Sequence, residues 1–197
     1  MTNYVQRIQY KDFGQNITAQ YYVGKEKLFP NKFTGYHAAV DLETLPGEEN
    51  QPVAVMAIGE GKILYLGPVA GYGGLILEKL DKSPDTALYG HVKLSSTKFK
   101  AGDQVAVGQT LVYLGDAFSG ETGGEHKHLH FGIYSGSDLY FRGYEQTLAQ
   151  LNARWINPTK FLADRISIPP TPTTPTSQSK PQLSLWQIIL RFFHLRG

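Results

Sequence analysis

The chain has 197 residues, 41% of them hydrophobic and 18% charged, with 19 basic and 17 acidic side chains and a formal net charge of +2. That size and composition suit one globular domain with tails and exclude a disordered chain. The near-balanced charge gives no electrostatic ground for a nucleic-acid partner. Cysteine is absent, which excludes disulfide frameworks and thiolate metal sites and leaves His, Asp and Glu as metal-holding side chains.

Residues 1–14, MTNYVQRIQYKDFG, carry charges and lack the apolar segment of a secretory signal, so they read as an N-terminal extension. Beyond them, short apolar runs sit between turn signals. Strands are expected at 17–23, 53–57, 62–66, 74–79, 87–91, 110–114 and 128–134, with tight turns at 59–61 and 71–74. The stretch FKAGDQVAVGQTLVYL alternates and carries a glycine turn on each side of 105–107, the pattern of a hairpin. One helix is expected over 144–155, where Leu148, Leu151 and Trp155 recur at helical spacing. With no internal repeat and no βαβ series, the fold class is mainly β: an antiparallel β-sheet domain over 15–164.

After Asp164 the composition changes. Residues 165–182 form a Pro/Thr-rich linker, ISIPPTPTTPTSQSKP at its centre, semi-extended and with a reach on the order of 40 Å. Residues 183–197, LSLWQIILRFFHLRG, place Ser184, Gln187, Arg191 and His194 in one narrow stripe of an otherwise apolar helix. Such a helix is about 20 Å long, short of the roughly 30 Å hydrocarbon core, and no stretch reaches the roughly 18 apolar residues of a membrane span. Peripheral membrane contact is one expectation for this helix, and docking on the domain or a partner is the other.

Five of the six histidines fall in three short stretches. In His37-Ala-Ala-Val-Asp41, positions i and i+4 share a face on a strand or a helix, so an imidazole and a carboxylate can meet one ion. In His128-Leu129-His130-Phe131-Gly132-Ile133-Tyr134, Leu129, Phe131 and Ile133 share one face, while His128, His130 and Tyr134 share the other. The two imidazoles, about 7 Å apart at the backbone, reach a common cleft. His91 follows Tyr89-Gly90. Each stretch is weak alone. Together they supply what catalytic zinc requires: three ligands from His, Asp or Glu and an open position. Two imidazoles remain for proton transfer and oxyanion stabilisation. His126 shares the even spacing but reads as a loop histidine.

On these motifs the chain resembles the lysostaphin/LytM family of zinc peptidases, M23. That family carries HxxxD, then a His after an aromatic-x pair, then HxH followed by Phe. Here the order is His37-x-x-x-Asp41, Tyr89-Gly90-His91, His128-Leu129-His130-Phe131. GKILYLGPVAGYGGLILEKL, FKAGDQVAVGQTLVYLG, SGETGGEHKHLHFGIY and WINPTKFL resemble the family's glycine-turned strands, next hairpin, approach to HxH and closing Asn-Pro segment. The resemblance implies a lysostaphin/LytM-like duplicated-hybrid-motif fold, Zn2+ held by His37, Asp41 and His130, and His91 and His128 as catalytic histidines. It implies hydrolysis of peptide bonds in peptidoglycan stem peptides or cross-bridges, in a groove walled by 117–127 and 136–143 with Tyr89 helping to shape it. An extracytoplasmic place of action follows: cell envelope, secreted or virion-associated.

Three positions depart from the family pattern: Gly132 where Glu is frequent, Lys127 where Pro is usual, and Ala39 where Gly is common. The alternative is a non-catalytic LytM-like module that binds wall peptide or activates another hydrolase, although such relatives lose ligands and this chain keeps all five residues. A biotinyl or lipoyl carrier lacks its lysine at the 104–108 turn, and a serine hydrolase lacks the Gly-x-Ser-x-Gly elbow.

Overall fold

Strand β14 (His128–Tyr134) organises the molecule. Its Leu129, Phe131 and Ile133 are all 3% exposed or less and enter one apolar core. Burying three such side chains contributes on the order of 5 kcal/mol or more. A one-residue slip would turn all three to the opposite face. The same register therefore sends His128, His130 and Gly132 the other way.

The structure, a computed structural model, describes residues 7, 9–19, 22–23, 26–27 and 33–166. The chain divides into two units, Met1–Ser167 and Ile168–Gly197; the linker beyond Ile166 and the C-terminal helix lie outside the described residues. The strands are β1 (Gln9–Lys11), β2 (Asn16–Ala19), β3 (Tyr22–Val23), β4 (Glu26–Lys27), β5 (Phe33–His37), β6 (Val40–Glu43), β7 (Ala54–Met56), β8 (Gly61–Val69), β9 (Gly73–Leu80), β10 (Thr86–Gly90), β11 (Val92–Lys93), β12 (Gln104–Val105), β13 (Thr110–Leu114), β14, β15 (Tyr144–Glu145) and β16 (Trp155–Ile156). Helices α1 (Leu148–Arg154) and α2 (Pro158–Ile166) close the described chain.

An eight-stranded sheet runs β1-β6-β14-β10-β9-β8-β12, with β16 also on β14. Every pairing among the described strands is antiparallel, as the sequence leads one to expect. The inner face packs with the β11-β13-β7 sheet around Ile76, Tyr89, Phe131, Val55 and Val112. On the outer face Leu75, Leu77 and Leu88 are covered by Leu151 of α1 and by Trp155. The rest of that face carries the histidines.

Four expectations change. The helix expected over 144–155 starts only at Leu148, because the Thr147 side chain accepts from the Gln150 amide in a capping box. Tyr144 pairs instead with His37 across β15 and β5. Helix α2 was not expected, and Arg165 and Ile166, assigned to the linker, lie in it; the Asn157 side chain accepts from the amides of Thr159 and Lys160, with Pro158 at the first helical position. The 99–114 stretch is not a hairpin: β12 pairs with β8 and β13 with β7, the chain changing sheets at a turn closed by Gln109 N–H donating to the Ala106 carbonyl. Finally, the N-terminal extension supplies β1, which pairs with β6 beside Asp41.

Candidate metal centre

His37 ends β5 and Asp41 lies in β6, so the HxxxD motif spans a bend at Ala38 and Ala39 rather than one strand or helix. The bend is packed tight, both alanines being 0% exposed. Asp41 stands directly across from His130 in the β6–β14 register. The loop of chain 37–41 and the adjacent strand thus bring three donor atoms together. His130 Nδ1 is 3.0 Å from Asp41 Oδ1, His37 Nε2 is 3.2 Å from His130 Nδ1, and His37 Nε2 is 3.3 Å from Asp41 Oδ1.

The proton count of this triangle points to a cation. His37 Nδ1 donates to the Asp12 carbonyl at 3.2 Å, which leaves a lone pair on Nε2. A proton on His130 Nδ1 could satisfy one edge, but lone pairs would still converge on the others. Meanwhile His130 Nε2, buried, has no hydrogen-bond partner among the described residues. A divalent ion satisfies all three donors at once. Ligands at about 2.0–2.2 Å in a tetrahedron lie roughly 3.3–3.6 Å apart, close to the edges seen. No other group of three or more acids and imidazoles among the described residues has this arrangement.

Electrostatics follows the same geometry. Burial works against ionisation of Asp41, but His37 and His130 outweigh it and hold the carboxyl well below the usual range. The Lys11 ammonium takes Asp41 Oδ2 at 3.3 Å, which leaves Oδ1 facing the imidazoles. Burial lowers His130 to about 4, against the opposing pull of Asp41, so its ring is neutral and able to ligate at neutral pH.

His91 and His128 share a different arrangement. His91 Nδ1 donates to the Tyr72 carbonyl at 2.9 Å, and His128 Nδ1 donates to the His126 carbonyl at 2.8 Å. Each ring is thereby fixed in the tautomer that leaves Nε2 as a base. Burial lowers the pKa of both, His91 well below its ordinary value. Their ring centroids are 4.4 Å apart. His91 holds a left-handed backbone at φ 63, a conformation costing on the order of 1–3 kcal/mol that surrounding contacts must hold in place; its carbonyl accepts from Gly115 N–H.

A cavity of about 220 Å³ opens over this face, lined by Asp41, His91, His130, Tyr72, Glu125 and Arg142, among others. Both loops expected as walls contribute to it. Gly143 is required there, since a Cβ would lie 2.6 Å from the Tyr72 hydroxyl and 3.2 Å from His130 Nε2.

Tyr89, expected at the cleft, points the other way. It is 0% exposed and its hydroxyl donates to Glu78 Oε2 and accepts from Ile58 N–H; strand alternation puts it on the core face, opposite to Gly90 and His130. His126 is a loop histidine outside the donor triangle, 2.7 Å from Glu43 and stacked on His128. The departures also have physical reasons. Trp155 fills the space at Gly132, where a Cβ would come within 3.0 Å of its ring. Lys127 is buried, with its ammonium on the Gln51 carbonyl at 2.6 Å. The sequence reading missed Tyr72 and Lys11. Tyr72 lies within the glycine turn 71–74, a stretch whose sequence signals backbone geometry alone.

Comparison with known proteins shows the family. The family model "Peptidase family M23" matches residues 35–142. The antimicrobial peptidase lysostaphin from Staphylococcus simulans is 24% identical, with 87% of this chain and 58% of that chain covered and a TM-score of 0.54. Its isolated catalytic domain is 22% identical, covering 78% and 99%, with a TM-score of 0.49. The catalytic domain of the prophage-encoded M23 protein EnpA from Enterococcus faecalis is 19% identical, covering 78% and 89%, with a TM-score of 0.47. No curated protein matches.

Proposed function

The chain belongs to peptidase family M23, and from that premise we propose that it is a zinc-dependent endopeptidase acting on peptide bonds of peptidoglycan. In this reading His37, Asp41 and His130 hold the metal, and His91 and His128 are the catalytic histidines. The observation that carries it is the donor triangle, with edges of 3.0–3.3 Å.

Zinc held there supplies a Lewis acid and brings the pKa of water toward neutrality. The chain's own groups do the rest. The Nε2 atoms of His91 and His128, freed by the carbonyl bonds at Nδ1, divide two tasks: taking the nucleophile's proton for delivery to the leaving amine, and steadying the oxyanion. Their lowered pKa leaves the imidazole that acts as base unprotonated at neutral pH, and an imidazole steadies the oxyanion only once its Nε2 has gained a proton. Asp41, ionised and tied to Lys11, keeps its orientation in the absence of substrate. Peptidoglycan lies outside the cytoplasmic membrane, so the place of action is extracytoplasmic. Among the described residues no helix is long and apolar enough to cross a membrane.

Purified sacculi incubated with the zinc-loaded protein should release soluble muropeptides, a chelator should stop the release, and added zinc should restore it. Sacculi that bind the protein but stay intact would instead support a non-catalytic wall-binding module.

A further inference from the structure

We infer that Arg142 receives a substrate carboxylate beside the metal centre, so that the preferred peptide is an anionic, stem-type peptide rather than a neutral oligoglycine bridge. This rests on the peptidase reading above and names the substrate class within it.

Arg142 is exposed and lines the cavity together with Asp41, His91 and His130. The other cation lining the cavity, Lys11, is engaged with Asp41. Arg142 makes no such contact with any described residue. Its fork of donors is left facing the space a substrate would fill.

The backbone that carries it is fixed. The Gly143 carbonyl accepts from Ala38 N–H at 2.9 Å, and Tyr144 pairs with His37. Gly143 also lies against His130, as its missing Cβ shows. Arg142 is thus one residue from a segment clamped to two of the proposed ligands. A substrate group meeting its guanidinium is held in register with the bond to be cut.

Charge then selects the substrate. A neutral peptide covering Arg142 would replace water on the guanidinium with uncharged carbonyl acceptors only. A carboxylate would replace that water with paired, charge-assisted hydrogen bonds. Glu125, which lines the same cavity from the 120–125 loop and whose carboxylate has no partner among the described residues, repels a carboxylate on its side. The two signs together orient the peptide along the groove.

The test uses the full zinc-loaded chain and quenched fluorescent peptides that differ only in a free carboxylate or its carboxamide, placed on each side of the scissile bond in turn, with pentaglycine alongside. We expect one carboxylate peptide to be preferred about tenfold over its carboxamide and over pentaglycine, mainly through KM. R142Q should erase the preference, and R142K should keep part of it. Calorimetric binding of the same peptides to the His91→Ala chain should show the same order. Equal use of carboxylate and carboxamide, or a preference that survives R142Q, overturns the inference while leaving the peptidase reading intact. Arg142-dependent binding without any cleavage supports the inference for a binding site and removes the activity instead.

Discussion

Asp41 and Glu78 are both buried carboxylates on the large sheet, 1% and 0% exposed, and their surroundings drive them in opposite directions. Burial opposes ionisation of each. Around Asp41 two imidazoles outweigh it and hold the carboxyl well below the usual range. Around Glu78, on the core face, the Tyr89 hydroxyl and the amides of Ile58 and Gly59 offset only part of it, and burial pushes the carboxyl up to about 6. Glu78 ties the turn at Ile58 to the sheet; its Oε1 has no partner among the described residues. The contrast teaches that a buried acid does not by itself mark a site. What distinguishes Asp41 is that it shares one point in space with two nitrogen lone pairs.

The sharpest way to break that contrast is to alter the face that carries the histidines. His91→Ala and His128→Ala should each lower kcat by about 10²–10⁴ while zinc content stays at the wild-type level, because neither residue belongs to the donor triangle. Steady-state hydrolysis measured beside metal content checks this. Full turnover in either variant would remove that residue from the mechanism.

A smaller effect is expected at Glu78. It ionises at the ordinary value of 4.5 in the unfolded chain and at about 6 in the folded one. The folded state therefore holds the proton more tightly, and stability falls as pH rises through that window; below 4.5 the penalty is absent. The gap corresponds to about 2 kcal/mol. Glu78→Gln, which keeps an acceptor for Tyr89 and Ile58, should raise stability by about that amount at pH 8 and by little at pH 4. Urea unfolding at the two pH values reads it. The same gain at both would mean that packing, not charge, governs the position.

Much of the histidine-bearing face was legible in the sequence because strand alternation is a strong constraint. Leu129, Phe131 and Ile133 had to turn inward, so His128 and His130 had to share the other side. The motif order also let family resemblance name the five residues. What could not be read depends on long-range packing. The bend at Ala38–Ala39 puts His37 and Asp41 on separate sheets, which i,i+4 spacing cannot reveal. Tyr89 looked like a cleft residue because it neighbours His91, yet its parity along β10 sends it to Glu78. The role of Lys11 depends on β1 joining the sheet edge, a pairing with no local signature. The start of α2 is visible in Asn157-Pro158, an N-cap followed by a first-turn proline.

The most direct test of the donor triangle is calorimetric titration of the metal-free chain with zinc. The account predicts one tight site per chain in the wild type and in His91→Ala, and its loss in His37→Ala, Asp41→Ala and His130→Ala alike. Wild-type affinity and stoichiometry retained in any of those three variants would contradict it.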